Sequence, residues 1–167
     1  ELSSKQIEQF NKDGYIIFPE LFTSDEIEIF KNEVDRVSKI RSEMVVREGE
    51  DEAVKIMFQL HEENVETASP PFRTAARSPR ILRTAQQCLG DEELYLHHSK
   101  LNMKSAIEGS AWPWHQDFHS WHLDGIKQPE MVTVTVVLTE ASPINGCMYV
   151  LPGSHKQGRS DPRWDDS

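Results

Sequence analysis

The chain has 167 residues, the size of one domain with a core of its own. Hydrophobic residues make up 37% of it and charged residues 28%, and no apolar run approaches the roughly 18 residues of a membrane span. The 28 acidic residues against 18 basic ones give a net charge of −10, which argues against nucleic acid as a partner, and the lack of a long apolar run argues against a membrane.

The N-terminus and the cysteines bear on where the protein works. No basic segment precedes an apolar one at the start of the chain, so no secretory signal is predicted and we expect a cytoplasmic protein. Cys88 and Cys147 form no spaced framework, which is typical of buried thiols in a reducing compartment. Because the chain starts without methionine and stops on a polar stretch, we expect further residues at both ends.

Helical patterns dominate the first part of the chain. Ser3–Gln6 and Thr23–Glu26 both have the form of a capping box, in which a hydroxyl and a carboxamide or carboxylate satisfy free backbone N–H groups. The first predicts a short helix over residues 4–12, and the second opens a longer amphipathic helix. A further helix is predicted from Pro79, a residue favoured at the first helical position, up to Gly90.

Between these helices the apolar runs are short and predict strands. Tyr15–Phe18 is an apolar run closed by a proline, which indicates a buried strand. Met44–Val46 and Val54–Phe58 predict two more strands around an acidic turn. Glu62–Ser69 has no periodicity and predicts a loop, which we expect to continue through Pro70-Pro71.

After residue 93 the pattern changes to β-type segments separated by turn residues. The segments are Leu94–Met103, Trp112–Trp121, Met131–Thr139 and Cys147–Leu151. Helices first and antiparallel strands afterwards predict an α+β fold, a double-stranded β-helix of jelly-roll or cupin-like form flanked by N-terminal helices. We expect one domain over 1–167, with helical support over about 1–93 and barrel strands over about 94–158.

One stretch, residues 111–122, concentrates residue types that bind metals and ligands. It holds three of the four tryptophans and three of the seven histidines. If this stretch is a strand, His115 and Asp117 project from one face with Cα atoms roughly 6.5 Å apart, which suits two ligands of one metal ion. A His-x-Asp tripeptide is common, so it is weak evidence by itself.

Two neighbouring segments carry polar side chains on one face. His98, Lys100 and Asn102 alternate along the strand predicted before this stretch, which indicates either a solvated edge or a lined pocket. Thr133 and Thr135 alternate with the valines of Met131–Thr139, and a mixed face of this kind suits the floor of a cavity.

Several motifs occur in a fixed order along the chain. They are Phe10-x-x-Asp13-Gly14-Tyr15, Leu94–Asn102, Trp114–Phe118, Trp121 and Asn145–Lys156. Together they resemble the phytanoyl-CoA dioxygenase family of iron(II)/2-oxoglutarate oxygenases over roughly residues 3–158. Within that family the nearer likeness is to the ectoine hydroxylase branch.

The resemblance implies a role for each matching position. His115 and Asp117 would be the catalytic pair, two of three iron(II) ligands. The 2-oxoglutarate contacts would be His98, Asn102, Trp112 and Thr135. The substrate contacts would be Lys100, Trp121 and Thr133. O₂ would be the second co-substrate.

The chain departs from the pattern of that branch at two positions and lacks two further groups. His98 stands where glutamine is common and Lys100 where arginine is common, so a bidentate grip on a carboxylate would be lost. The family's distal histidine ligand and its basic clamp for 2-oxoglutarate lie well beyond the turn that contains His155. We therefore expect the C-terminal part of the barrel to lie beyond residue 167, and His155 to make hydrogen bonds in its turn.

The implied activity is hydroxylation of an unactivated C–H bond of a small polar metabolite, coupled to decarboxylation of 2-oxoglutarate to succinate. The aspartate at 117 favours hydroxylation, since related halogenases carry a small residue there. Trp121 offers a flat face to a cation and Lys100 attracts an anion, which suits a zwitterion. Two alternatives stay open: a ligand-binding barrel without catalysis, and a metal-dependent hydrolase on the same His/Asp pair. The sequence leaves the oligomeric state open.

Overall fold

A computed structural model of the chain describes residues 1–104 and 112–164. Its helices are α1 (Ser4–Asp13), α2 (Ser24–Ser38), α3 (Pro70–Ala76), α4 (Pro79–Leu89) and α5 (Asp117–Leu123), and its strands are β1 (Val45–Glu48), β2 (Ala53–Phe58) and β3 (Lys100–Asn102). The predicted α+β class is confirmed. No helix in these two ranges has the length and apolar character needed to cross a membrane. Ala111 lies outside the described residues.

The predicted capping boxes are formed at both early helices. In α1 the Ser3 hydroxyl accepts the Gln6 backbone N–H at 3.4 Å, while the Gln6 side-chain oxygen accepts the Ser3 N–H at 2.9 Å. In α2 Thr23 and Glu26 make the same exchange at 3.3 and 2.8 Å. Each box satisfies two N–H groups that a helix leaves without partners, which is why these helices begin where the sequence predicts.

One antiparallel sheet, in the order β1-β2-β3, joins the two halves of the chain. The hairpin of β1 and β2 confirms the strands predicted there. Only Lys100–Asn102 of the segment predicted as Leu94–Met103 is a strand, and it pairs with β2 through Met57 opposite Leu101. The sheet therefore contains strands from both sides of residue 93, the position at which the sequence predicts that the helical support ends and the barrel strands begin.

The core lies between this sheet and the helices. Val37 of α2, Val45 of β1, Met57 of β2 and Leu60 are buried together, and further apolar side chains from α3 and β3 pack against them. Phe30 of α2 lies next to the α3 helix, 5.3 Å from the Phe72 ring. Burial of these apolar side chains is the main free energy that holds α2 and α3 on the sheet.

Two local predictions in the first half are wrong. Tyr15–Phe18 is not a strand: it pairs with no other segment among residues 1–104 and 112–164, and Ile17 is 74% exposed. Pro70-Pro71 does not continue the loop but forms the first turn of α3, with Ser69 as its N-cap. Proline fits there because the first N–H groups of a helix have no intrahelical partner to lose.

The later β-type segments also differ from prediction. Trp112–Trp121 is not a strand. The helix α5 begins within it, at Asp117, and before the helix Trp114 forms an isolated β-bridge with Arg163. An acidic residue in the first turn favours this helix, since it faces the positive end of the helix dipole. Met131–Thr139 and Cys147–Leu151 lie outside any sheet. Their alternation identified possible faces but supplied no partner strand.

Candidate metal and ligand site

His115 lies just before α5 and presents one ring nitrogen outward. Its Nδ1–H donates to the backbone oxygen of Pro113 at 2.7 Å. A neutral imidazole carries one proton, so this bond leaves the Nε2 lone pair available. Metal-binding histidines are commonly oriented in this way, by a carbonyl that holds the other ring nitrogen.

Asp117, the first residue of α5, faces that lone pair. Its Oδ1 lies 3.5 Å from His115 Nε2, and both side chains are a little more than one-third exposed, at 36% and 37%. Its second oxygen, Oδ2, accepts the Thr133 hydroxyl at 2.7 Å. The two side chains thus converge even though they do not share a strand, because the turn into the helix brings residue 117 back towards residue 115.

This donor pair fits two ligands of one divalent ion. Ligands about 2.0–2.2 Å from a metal on neighbouring coordination positions lie about 3 Å apart, close to the separation in the structure. An imidazole nitrogen and a carboxylate oxygen are also the donors of the two-histidine, one-carboxylate iron(II) sites. Within residues 1–104 and 112–164 no third His, Cys, Asp or Glu completes a metal-binding group.

An aromatic wall stands beside the pair and contains two of the predicted contacts. The Trp121 ring on α5 lies 4.8 Å from the His97 ring and 5.0 Å from the His98 ring, both between ring centroids. His98 in turn lies 5.7 Å from Phe58 on β2. The structure therefore brings together His98, predicted to contact 2-oxoglutarate, and Trp121, predicted to contact substrate.

Burial lowers the pKa of the His98 imidazole below its ordinary value. The positive charge of Lys100 adds to this effect, as do His61 and His97, while the Asp117 carboxylate acts in the opposite direction. The lowered pKa favours the neutral imidazole at pH 7, in which one ring nitrogen can accept a hydrogen bond and the other can donate one. A glutamine side chain offers the same pair of functions.

Trp112 forms a second aromatic surface, flanked by cations. The ammonium nitrogens of Lys100 and Lys55 both lie 5.6 Å from its ring centroid, and its ring is 6.4 Å from that of His115. Lys55 also forms an ion pair with Glu48 at 2.9 Å. Sequence reasoning missed Lys55 and Phe58, because they reach this region only through the pairing of β2 with β3.

Two predicted contacts are not joined to the metal pair. The side chains of Asn102 and Thr135 are exposed and make no hydrogen bond within the described part of the chain. Asn102 ends β3 and pairs with Ile56, and Thr135 lies two residues beyond Thr133. Thr133, predicted to contact substrate, donates its hydroxyl to Asp117.

Comparison with protein-family models matches residues 10–167 to one family, described as phytanoyl-CoA dioxygenase. That match covers nearly the whole chain. The chain belongs to the phytanoyl-CoA dioxygenase family. The resemblance based on the His-x-Asp segment and its accompanying motifs is therefore confirmed.

Curated relatives of this phytanoyl-CoA dioxygenase family chain include ectoine dioxygenases. The one from Bordetella bronchiseptica is 33% identical over 161 residues, which is 93% of this chain and 50% of the relative. The one from Nocardia farcinica is 34% identical, again over 93% of this chain, and 52% of the relative is covered. The chain thus spans about half the length of the curated relatives it matches.

Solved structures extend the similarity to three dimensions. EctD from S. alaskensis with bound Fe has a TM-score of 0.64 and 30% identity, over 72% of this chain and 42% of that one. EctD from the same source with 2-oxoglutarate and 5-hydroxyectoine has a TM-score of 0.63 and 29% identity, over the same shares. The likeness to the ectoine hydroxylase branch thus rests on both sequence and fold.

Proposed function

We propose that this phytanoyl-CoA dioxygenase family chain provides the iron-binding half of an Fe(II)/2-oxoglutarate-dependent dioxygenase. The enzyme hydroxylates an unactivated C–H bond of a small polar metabolite and decarboxylates 2-oxoglutarate to succinate, with O₂ as oxidant. The observation that carries the proposal is the convergence of His115 Nε2 and Asp117 Oδ1 at 3.5 Å. The Fe and 2-oxoglutarate named for the EctD structures support it.

The residues of this chain prepare the site for the metal. His115 and Asp117 would hold iron(II), which when bound supplies the redox chemistry that activates O₂. Pro113 keeps the Nε2 lone pair of His115 free, and Thr133 holds the other oxygen of Asp117, which leaves Oδ1 as the donor. A facial site needs three protein ligands, so a third must come from another part of the protein, within a completed jelly-roll barrel.

The substrate we propose is a small zwitterion similar to ectoine. The relatives are named ectoine dioxygenases, and one EctD structure holds 5-hydroxyectoine. In this chain Trp121 offers a face for the cationic part, while Lys100 attracts an anionic group. Lysine is a point charge and not a planar fork, so carboxylate recognition here relies on attraction and not on two parallel hydrogen bonds.

For 2-oxoglutarate we propose contacts from His98 and Trp112, and from Asn102 and Thr135 once the barrel is complete. The aromatic wall that contains Trp121 and His98, together with the second aromatic surface of Trp112, would exclude water around the co-substrate. We further propose a cytoplasmic enzyme of small molecules, and the net charge of −10 argues against a nucleic-acid partner.

The first test is metal binding by the full-length protein. Anaerobic addition of Fe(II) and 2-oxoglutarate should give a weak visible charge-transfer band. A protein that carries all three ligands and gives no band would support a binding module without catalysis. The dioxygenase reaction requires 2-oxoglutarate, whereas a metal-dependent hydrolase does not. Hydrolysis of an added substrate with Fe(II) but without 2-oxoglutarate would therefore support the hydrolase alternative.

Asp117→Ala should abolish substrate-coupled succinate formation, because it removes one of the two metal donors that this chain provides. Asp124→Ala is the matched control, since Asp124 is an exposed carboxylate at the other end of α5. Succinate is measured by chromatography after incubation with Fe(II), 2-oxoglutarate and ectoine. Turnover retained in Asp117→Ala would remove this residue from the site.

A further inference from the structure

Gln116 lies between the two proposed metal ligands and binds a segment far away in the chain. Its side-chain N–H donates to the backbone oxygen of Gly158 at 3.0 Å and, at a longer 3.5 Å, to that of Ser154. Its side-chain oxygen accepts the backbone N–H of Ser160 at 3.0 Å. Both functions of the carboxamide are therefore used against one segment more than 35 residues away in sequence.

That segment, residues 153–163, is called here the strap, and it runs along the metal-binding segment on both sides of Gln116. Before Gln116, Trp114 and Arg163 exchange backbone N–H and C=O groups at 2.8 and 2.9 Å. After it, Arg159 on the strap donates to Nδ1 of His119 on α5 at 3.2 Å. The strap thus makes hydrogen bonds to the metal-binding segment on the N-terminal side of Gln116, at Gln116 itself and on its C-terminal side.

The other end of the strap is attached to helix α1. The Gly153 N–H donates to the backbone oxygen of Asp13 at 2.8 Å, and the Nε2–H of His155 donates to that of Asn11 at 3.2 Å. The strap therefore connects the metal-binding segment to a regular element of the fold. Gln116 stands between the two proposed ligands, and its side chain makes hydrogen bonds to the strap.

We propose that Gln116 is a positioning residue that fixes the spacing of His115 and Asp117 before a metal binds. The inference rests on the proposed function. The two ligands are more than one-third exposed, so packing alone does not hold them. Because Gln116 is bonded to both neighbours along the backbone, restraint of its carboxamide restrains the direction in which each ligand points, and a preorganised pair binds metal with less loss of conformational entropy.

The test compares two glutamines that bridge distant backbone groups in the same way. Gln116→Met keeps the volume of the side chain and removes both hydrogen-bonding functions. Gln87→Met is the control, because Gln87 on α4 accepts the Leu2 N–H at 2.7 Å and donates to the Leu2 oxygen at 3.4 Å. Both variants should lower the melting temperature by similar amounts, a few degrees.

Metal affinity separates a positioning role from a merely structural one. Fe(II) is titrated anaerobically into the full-length protein at saturating 2-oxoglutarate, and the visible band gives the dissociation constant. We expect Gln116→Met to weaken Fe(II) binding about ten- to hundredfold, the usual effect of losing a partner that orients a ligand, and Gln87→Met to leave it unchanged. Equal dissociation constants in the two variants would overturn the inference.

A second variant covers the case in which Gln116→Met does not fold. Gln116→Asn retains the carboxamide but is one methylene shorter, so it cannot span the distance to Gly158 and Ser160 together, and it too should weaken Fe(II) binding. Wild-type affinity in Gln116→Asn would contradict the positioning role. If the wild-type protein itself gives no band, the proposed function fails; if it gives one and the Gln116 variants match it, only this inference fails.

Discussion

The oxygen of Asp117 that does not face His115 is held by a single hydroxyl. Thr133→Val removes this donor and keeps the shape of the side chain, so the carboxylate can rotate and offer either oxygen. We expect about tenfold weaker Fe(II) binding by the full-length protein, with little change in melting temperature because Thr133 is exposed. Thr139→Val is the control, since that exposed hydroxyl makes no hydrogen bond among the described residues. The same loss in both variants would contradict the role of Thr133.

His98 gives the stability a pH dependence of known sign. An unfolded histidine takes up its proton at about pH 6.5, whereas folded His98, with its lowered pKa, takes it up at a lower pH. As the pH falls below about 6.5 the unfolded state binds more protons, so the free energy of unfolding decreases. His98→Gln removes the titrating group, and we expect the variant to gain stability relative to wild type between about pH 7.5 and about pH 5.5.

Urea denaturation of both proteins at the two pH values measures this effect. The charged and titratable groups near His98 are Lys100, His61, His97 and Asp117, and the substitution leaves all of them in place. The difference in free energy of unfolding between variant and wild type should therefore grow as the pH falls. A difference that stays constant would show that folded His98 titrates like an unfolded one.

At this scale the sequence predicts residue types but not the atoms they contact. His115 and Asp117 were recognised from their spacing and context, and Trp121 and His98 do lie together. The carbonyl of Pro113 and the hydroxyl of Thr133 were not foreseen as partners, since backbone carbonyls leave no signal in the sequence and a threonine on a mixed face has many possible roles. Lys55 reached the site through strand pairing, which no local pattern contains.

Among the elements, α5 shows how the same residues support two readings. The segment from 112 to 121 alternates well enough for a strand, yet Asp117 opens a helix in which the rings of Phe118 and His122, one turn apart, lie 5.5 Å from each other between centroids and are tilted by 53°. Short apolar runs of this kind do not distinguish a strand from a helix by periodicity. The side chains of His115 and Asp117 lie close together although the predicted element was wrong, and their role as metal ligands stays a prediction.

The junction between α1 and the strap depends on glycine at position 14. Gly14 ends α1 with φ +82°, and a Cβ there would lie 2.8 Å from Cγ of the His155 ring. Gly14→Ala should therefore cost about 1 kcal/mol for the left-handed backbone, and about another 1 kcal/mol for displacing His155 from Asn11.

Gly90→Ala is the matched control for this substitution. Gly90 ends α4 in the same left-handed conformation, φ +68°, but a Cβ there would meet nothing within 4 Å. Only the backbone cost of about 1 kcal/mol applies. Urea denaturation of both variants measures the difference, and equal losses of stability would show that His155 is not held against α1.

For the whole molecule, stability is concentrated where the sheet meets α2. Met57 is fully buried, so Met57→Ala should lower the free energy of unfolding by about 2–4 kcal/mol through lost burial and the cavity left behind. Val150, which is 46% exposed, serves as the control, and Val150→Ala should change it by less than about 0.5 kcal/mol. Thermal or urea denaturation of the 167-residue chain tests this. A similar decrease in the free energy of unfolding in Val150→Ala would show that Val150 also contributes to the hydrophobic core.

The architecture was predictable to the extent that it is local. Capping boxes located α1 and α2, and short β-branched runs located the β1-β2 hairpin, because each signal acts within a few residues. The third strand and the strap depend on contacts between distant segments, which alternation cannot specify. In the β-type segments after residue 130, alternation predicted which side chains share a face but not which strand each segment would pair with. The structure leaves these segments outside the sheet.

The position of Trp121 between two imidazole rings has a practical consequence. The Trp121 ring lies 4.8 and 5.0 Å from the two imidazole rings, between centroids, and indole fluorescence responds to the groups around it, so a molecule that enters the site and alters these contacts would change the emission. Replacement of the exposed Trp164 by phenylalanine would remove one other source of emission. The protein would then carry its own optical probe, able to follow occupancy in real time without a label.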